Sequence, residues 1–176
     1  MIFAEGSLAG VWLVTPEWRE DFRGFFARTW CEREARNVGL TDRWVQSSLS
    51  YTKTRGTLRG LHFQRPPHEE VKLVRCTAGA IFDVVVDLRP ESPTFKKHLT
   101  VELTAENRVS LYIPRGLAHG YQTLADGVEV LYQMSEFYIP ESAAGVRWDD
   151  PVFGIAWPDS NPILNDRDRC YPDFTA

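Results

Sequence analysis

Short segments of apolar or alternating residues recur along the whole chain, separated by turns rich in Gly, Pro, Asn and Asp. Segment 80–87, AIFDVVVD, is rich in β-branched residues, and segment 98–103, HLTVEL, alternates as a half-buried strand does. Closely spaced strands with turn signals between them are typical of an antiparallel sandwich or barrel. The pattern predicts strands at 11–14, 44–50, 57–63, 72–77, 80–87, 98–103, 109–114, 120–124 and 128–134, and another that starts at 25–26 after a turn.

Helical signals are confined to short segments. Residues 32–38 are polar and are followed by Gly39, a residue type that commonly ends a helix. Residues 140–176 contain five prolines, which predicts an irregular tail packed on the barrel, with one helical turn at 166–169. We find no repeat and no linker, so residues 1–176 are predicted to form a single domain with its own core.

The composition is that of an ordinary globular protein, with 43% hydrophobic and 25% charged residues. A formal net charge of −4 argues against a nucleic-acid binder, which needs a basic face to neutralise phosphates. The amino end has no basic segment followed by a long apolar core, and no stretch is long enough to span a bilayer. Three widely separated cysteines fit reduced thiols, so we expect a cytoplasmic protein without a membrane partner.

The segment 56–79, GTLRGLHFQRPPHEEVKLVRCTAG, concentrates polar chemistry between two predicted strands. Arg59 and His62 are three positions apart, so a regular strand would place them on opposite faces; a bulge at Gly60 would bring them together. Lys72 lies inside an apolar strand, where an ammonium is costly unless it meets an anion or an electron-rich oxygen. The alternative is a surface hairpin with scattered charge.

A second polar segment, IPRGLAHG at 113–120, places His119 just after a turn. Its P-x-G-x-x-H spacing is the second half of the cupin metal motif, but the H-x-H of the first half fails at Gln64. A metal site of His62, Glu69 and His119 stays conceivable, although the nearby Lys72 would repel a cation. The plain alternative for His119 is a hydrogen-bonded core histidine.

Two further groups carry no functional signal by themselves. Tyr132 lies on one strand face with Val130 and Met134, where a tyrosine is usually a core residue whose hydroxyl finds a partner. Asp168, in segment 164–169, would be interpreted as a solvated loop charge.

Nine segments, taken in order, carry a further signal: DFRGFF (21–26), GTLRGLHFQ (56–64), KLV (72–74), DVVVDLR (83–89), SPTF (92–95), IPRGLAHG (113–120), VLY (130–132), GVRWDDP (145–151) and IAWP (155–158). Together they resemble the dTDP-4-dehydrorhamnose 3,5-epimerase family of metal-free cupins. The resemblance covers almost the whole chain and implies an all-β fold, a cupin-type antiparallel jelly-roll barrel with short peripheral helices, assembled as a homodimer without a cofactor.

The resemblance implies a role for each polar residue. His62 would be the base that removes a proton beside the sugar carbonyl, Asp168 would hold its tautomer, Tyr132 would be the acid on the opposite face, and Lys72 would steady the enolate oxygen. The implied substrate-binding residues are Arg59 and His119 for diphosphate or sugar hydroxyls, and Arg23, Phe26, Gln46 and Tyr138 for the nucleotide, some of them reaching in from the partner subunit.

Three positions depart from the family pattern. Arg28 replaces a glutamate that faces the base, Ser48 replaces an amide, and Glu69 and Glu70 stand where a glutamine is usual before the lysine. An arginine only donates hydrogen bonds and so suits the N3 and O2 acceptors of cytosine better than the N3–H of thymine. Arg28 therefore predicts a preference for a CDP-linked sugar; the alternative is that Arg28 faces solvent or pairs with Glu32.

The sequence thus predicts an isomerase that inverts C3, C5 or both in a nucleotide-diphospho-4-keto-6-deoxyhexose, on the route to a deoxysugar of a cell-surface polysaccharide. Two other classes remain open. A non-catalytic sugar-nucleotide-binding cupin would not need a base and an acid on opposite faces, and a metal-dependent cupin oxygenase would purify with its metal.

Overall fold

The structure is a computed structural model that describes residues 1–40 and 43–175. Its elements are β1 (Ile2–Glu5), β2 (Trp12–Thr15), β3 (Trp18–Asp21), β4 (Gly24–Ala27), α1 (Glu32–Asn37), β5 (Gln46–Thr52), β6 (Leu58–Gln64), β7 (Lys72–Ala78), β8 (Ala80–Asp87), β9 (His98–Thr104), β10 (Ser110–Ile113), β11 (Leu117–Thr123), β12 (Val128–Met134), β13 (Ala143–Gly145) and α2 (Asp166–Arg169). Within this described part, no helix has the length and apolar character that crossing a membrane requires.

Two antiparallel sheets face each other. One has the strand order β1-β2-β10-β7-β12-β5 and the other β13-β6-β11-β8-β9. Alternate side chains of each strand point inward, and those of the two sheets meet in a core that includes Val74 and Val130 from the first sheet and Val85 and Tyr121 from the second. The predicted all-β, cupin-type barrel is confirmed.

Most predicted elements are found within a few residues of the predicted bounds. Strands β8 and β12 begin and end where the β-branched pattern places them, and α1 ends just before Gly39, whose φ is +81°. The predicted helical turn at 166–169 is α2. Strand β11 begins earlier than the predicted 120, because the turn that precedes it closes at Gly116, with φ of +79°.

Strands β1, β3 and β13 were not predicted. The sequence of β3, WRED, has one apolar residue in four, and all four residues are exposed. It is a strand because it pairs with β4 in a separate two-stranded hairpin. The Arg108 guanidinium stacks on both strands of this hairpin, 4.9 Å from the Trp18 ring and 4.7 Å from the Phe25 ring. We call residues 18–27 the β3–β4 hairpin.

The tail from residue 140 is largely irregular and packs on the five-stranded sheet. Val146 and Phe153 are buried against Leu61 and Val84 of that sheet, and the Val146 and Leu61 backbones exchange hydrogen bonds. This packing brings α2 alongside β6, with Asp168 only 1% exposed.

A bulge interrupts β6 at Gly60, as predicted. His62 is opposite His119 and Arg59 is opposite Tyr121, so two residues of β6 face only Gly120. Gly60 has φ of +141°, and a Cβ there would be 2.5 Å from the Gly120 Cα, so no other residue fits. The bulge lets Arg59 and His62 line the same cavity.

Candidate functional site

A cavity of about 280 Å³ opens between the two sheets. Strands β6 and β11 of one sheet, β7 and β12 of the other, and the tail contribute its walls. The lining residues are Arg59, His62, Phe63, Gln64, Glu70, Lys72, His119, Tyr132, Met134, Tyr138, Ala143, Ala144, Asn165, Arg167 and Asp168. Seven residues singled out in the sequence therefore meet here, although they come from positions 59 to 168.

His62 and Asp168 form a hydrogen-bonded pair. His62 Nε2 lies 2.7 Å from Asp168 Oδ1, and the two side chains are 39% and 1% exposed. Because a buried carboxylate accepts the Nε2 proton, Nδ1 is left with a lone pair that can receive a proton. This is the arrangement of a general base with a carboxylate that fixes its tautomer.

Asp168 is held from several sides. Its backbone N–H donates to Asn165 Oδ1 at 2.7 Å, which caps α2, and its Oδ2 accepts from the Gly60 N–H at 3.1 Å. The bulge at Gly60 thus supplies a backbone donor to the carboxylate that orients His62. An interpretation of Asp168 as a solvated loop charge, from local sequence alone, is wrong because the tail buries it.

Lys72 reaches into the cavity from β7. Its ammonium donates to the His62 carbonyl oxygen at 3.0 Å and lies 3.0 Å from Glu70 Oε1. The prediction that a lysine in this strand must meet an anion is confirmed, and the anion is Glu70. Lys72 thus lies at the cavity wall beside His62, with Glu70 as its ion-pair partner.

His119 is buried and paired with a carboxylate. Its Nε2 lies 2.9 Å from Asp83 Oδ2, and the side chains are 3% and 0% exposed. Burial raises the pKa of Asp83, and the neighbouring His119 opposes that rise. The His119 ring meets the Tyr132 ring edge-on at 5.9 Å, so His119 supports the wall that carries Tyr132.

Tyr132 faces the cavity from β12, across from the strand that bears His62. Burial raises its pKa well above the usual value, with Tyr121 and Asp83 adding to the rise, while Arg59 opposes it. The phenol is therefore protonated at neutral pH and available as a proton donor.

Of the remaining predicted binding residues, Arg59 and Tyr138 line the cavity and the others do not. Arg59 lines the cavity and donates to Thr52 Oγ1 at 3.0 Å and to the Tyr51 carbonyl oxygen at 3.3 Å. Tyr138 also lines it, and its backbone N–H donates to Gln46 Oε1 at 3.2 Å. Gln46 is thus next to the cavity without lining it.

Ser48 also lies outside the cavity wall. It pairs directly with Tyr132 in the β5–β12 register, but its side chain is exposed. The register nevertheless places it on the same sheet face as Tyr132.

Arg23, Phe26 and Arg28 do not line the cavity of their own chain. They lie on or directly after the β3–β4 hairpin, which belongs to neither sheet. Arg23 pairs with Asp21 at 2.5 Å, and Phe26 is 75% exposed. Arg28 Nη1 lies 2.6 Å from Glu34 Oε1, so its partner is Glu34 and not the Glu32 considered from spacing.

The sequence did not single out two charged residues of the cavity. Glu70 was noted only as a departure from the family, yet it pairs with Lys72. Arg167 adjoins Asp168 and donates to the Tyr171 hydroxyl at 2.7 Å. Its only signal was its position beside Asp168, because the tail has no periodicity from which orientation can be inferred.

The two histidines considered as metal ligands, His62 and His119, are each paired with a carboxylate other than Glu69. His62 pairs with Asp168 and His119 with Asp83, while Glu69 does not line the cavity. Among residues 1–40 and 43–175, no group of three or more His, Cys, Asp or Glu side chains is placed to hold a metal ion.

Comparison with known proteins relates this geometry to a family. The family model described as dTDP-4-dehydrorhamnose 3,5-epimerase matches residues 5–176. The dTDP-4-dehydrorhamnose 3,5-epimerase of Sinorhizobium fredii (strain NBRC 101917 / NGR234) is 41% identical over 179 residues, which cover 99% of this chain and 90% of that protein.

Solved structures agree with the sequence comparison. The dTDP-4-dehydrorhamnose 3,5-epimerase of Bacillus anthracis str. Ames, with TDP and PPi bound, superposes with a TM-score of 0.95 at 39% identity, covering 98% of this chain and 99% of that one. The dTDP-6-deoxy-D-glucose-3,5-epimerase of Legionella pneumophila Philadelphia 1, in complex with dTDP-4-keto-L-rhamnose, gives 0.89 at 34% identity, covering 95% and 89%.

Proposed function

Because the chain belongs to the dTDP-4-dehydrorhamnose 3,5-epimerase family, we propose that it inverts C3 and C5 of a dTDP-linked 4-keto-6-deoxyhexose, with His62 as base and Tyr132 as acid. The protein is an isomerase of deoxysugar biosynthesis. The observation that carries the assignment of roles is that His62 and Tyr132 face one cavity from different sheets.

Epimerisation of a 4-keto sugar needs a base, an acid and a positive group near the carbonyl oxygen, and residues with these properties line this cavity. Hydrogens at C3 and C5 are acidic because each carbon adjoins the C4 carbonyl. Nδ1 of His62 removes one of them, and the resulting imidazolium is stabilised by the carboxylate of Asp168. Lys72 offers its ammonium to the enolate oxygen, where negative charge develops.

Inversion needs a proton from the other side of the sugar. Tyr132 donates it to the carbon that His62 has deprotonated, and Arg59 stabilises the phenolate left behind because its positive charge lowers the cost of that anion. Arg59 and His119 also line the cavity where the sugar and diphosphate must lie.

Deuterium incorporation from solvent tests this function. In D₂O, dTDP-4-keto-6-deoxyglucose is expected to gain deuterium at both C3 and C5, read separately by NMR. Incorporation at one carbon would establish a single-carbon epimerase, whereas tight binding without exchange at either would establish a non-catalytic sugar-nucleotide-binding protein and overturn the proposal.

Two observations favour thymine over the cytosine predicted from Arg28. The Arg28 guanidinium already has a carboxylate partner, Glu34. The B. anthracis and L. pneumophila relatives carry TDP and a dTDP-sugar. The base is therefore held by other groups in this proposal.

We predict that the wild type has a kcat/KM roughly tenfold or more higher for the dTDP sugar than for its CDP analogue, the discrimination given by one mismatched buried hydrogen bond. Arg28→Glu is expected to leave this ratio within about threefold. Arg36→Glu, which removes another exposed guanidinium nearby, is the matched control. A wild type that favours CDP, with a ratio reversed by Arg28→Glu, would restore the cytosine prediction.

We also propose a homodimer in which the β3–β4 hairpin completes the partner's site. Phe22 and Phe26 are 98% and 75% exposed, and the edge strand β5 exposes Leu49 and Tyr51. Exposed apolar groups of this size are costly in a monomer and are typical of an interface. Arg23 then reaches a nucleotide in the neighbouring subunit.

Heterodimers of two variants test whether the β3–β4 hairpin of one subunit completes the site of its partner. Arg23→Ala and His62→Asn are each expected to be nearly inactive at low substrate. In a heterodimer of the two, one site combines an intact His62 with an intact Arg23 from the other subunit, so mixing the variants restores activity. Mixtures that stay as inactive as the separate variants would show that Arg23 acts within its own chain or not at all. Sedimentation analysis gives the oligomeric state.

The proposal also includes a cytoplasmic location and a reaction without a metal ion. Cys31, Cys76 and Cys170 are all free thiols, which supports a reducing cytoplasm. Activity is expected to persist after chelation and exhaustive dialysis. Stoichiometric zinc, iron or nickel whose removal abolishes activity would contradict a metal-free mechanism.

A further inference from the structure

Each inversion leaves the two catalytic groups in the wrong protonation state. This inference rests on the proposed function, in which His62 gains a proton and Tyr132 loses one. His62 is 39% exposed, so it can release its proton to water. Tyr132 packs against the barrel core and otherwise faces the cavity in which we place the sugar. A route through the barrel would let Tyr132 regain a proton between two inversions within one binding event.

A chain of hydroxyl groups leads away from Tyr132 through the barrel. Tyr132 packs against the core cluster that contains Tyr121, a fully buried residue of β11, and the neighbouring Tyr121 adds to the rise in the pKa of Tyr132. The Tyr121 hydroxyl lies 3.0 Å from Ser50 Oγ. Ser50 faces Val130 in the β5–β12 register and so lies on the same sheet face as Tyr132. Ser50 is partly exposed on an edge strand, where solvent can reach it.

We propose that Tyr121 and Ser50 form a proton relay that returns a proton to the Tyr132 phenolate while the sugar stays bound. The Tyr121 O–H bond breaks as its proton passes to the Tyr132 phenolate oxygen. The Ser50 proton passes to Tyr121, and a water molecule protonates Ser50. The hydroxide that remains is neutralised by the proton that His62 releases, so each cycle leaves no net change.

The surroundings favour this direction of transfer. Burial and Tyr121 both raise the pKa of Tyr132, so its phenolate is a strong base that takes the nearest available proton. Tyr121 is the neighbouring donor, and its hydroxyl already has Ser50 as its own partner. A buried Tyr121 hydroxyl without a partner would cost stability, and Ser50 supplies that partner.

Tyr121→Phe and Ser50→Ala test the relay. Both keep His62 and Tyr132, so the first inversion in each active site is expected at the wild-type rate in a rapid-quench experiment. Later inversions are expected to slow roughly tenfold, less than the ~10²- to 10⁴-fold lost with a general acid itself. Singly inverted sugar then accumulates, while deuterium exchange driven by His62 continues. Ser47→Ala is the matched control, because Ser47 Oγ donates to the backbone oxygen of Tyr132 and not to its hydroxyl.

The outcomes separate the relay from the proposed function. A wild type without exchange at either carbon would overturn both. A wild type that inverts its substrate, with equal first and later rates in both variants, would overturn the relay alone. Ser50→Ala removes a partly exposed hydroxyl, so it decides the question by itself if Tyr121→Phe fails to fold.

Discussion

The His62→Asn variant is expected to lose proton exchange at C3 and C5 by ~10²- to 10⁴-fold, the usual contribution of a general base. Asparagine can still face Asp168, but it has no nitrogen that accepts a proton. Affinity for dTDP is expected to change little, because Arg59 and not His62 is assigned to the anion. Deuterium incorporation and calorimetric titration with dTDP measure the two effects.

His68→Asn is the matched control, since His68 follows the same strand but does not line the cavity. Wild-type exchange in that variant would show that loss of an imidazole alone has no effect. If His62→Asn loses less than about tenfold, the base assignment is untenable, because positioning effects alone can account for so small a change.

The Tyr132→Phe variant is expected to separate exchange from inversion. The phenyl ring keeps the edge-on contact with His119, so packing is preserved while the proton donor is lost. His62 still forms the enolate and returns a proton to the original face. Deuterium therefore enters at one or both carbons, while net inversion falls by ~10²-fold or more.

Tyr51→Phe removes a phenol from the exposed face of the same sheet and serves as the control. NMR of the product sugar gives exchange and inversion from one sample. A Tyr132→Phe enzyme that inverts both carbons at the wild-type rate would make Tyr132 a packing residue.

Much of the barrel could be predicted because most of its strands carry their own signal. The β-branched residues of β8 and the alternating residues of β12 each predict a strand from the segment alone, and the alternation also predicts which side chains share a face. The bulge at Gly60 was also predictable, because a missing side chain between two polar residues of a strand offered a physical reason for it. Those local features place Arg59, His62 and Lys72 on the cavity wall.

The rest depended on contacts between distant segments. Nothing local distinguishes Asp168 from a solvated charge, and only the resemblance to the family assigned it a role. The pairing of His119 with Asp83 depends on the register of β11 against its neighbour β8, and the pairing of Lys72 with Glu70 depends on the irregular segment before β7. Periodicity specifies neither of them. Strand β3 has one apolar residue in four, so neither the β3–β4 hairpin nor its position outside both sheets could be inferred.

The long separation of His62 and Asp168 in the chain also has a consequence for how the protein folds. The two residues are 106 positions apart in the chain. Contacts of such separation form late in folding, because closing a long loop costs chain entropy that is regained only once the surrounding strands are in place. Neighbouring strands such as β8 and β9 need no such closure. The β2–β10 pairing joins residues almost as distant, such as Leu13 and Leu111. We therefore expect the pair of His62 and Asp168, and with it enzymatic competence, to appear only as such late contacts complete the sheets.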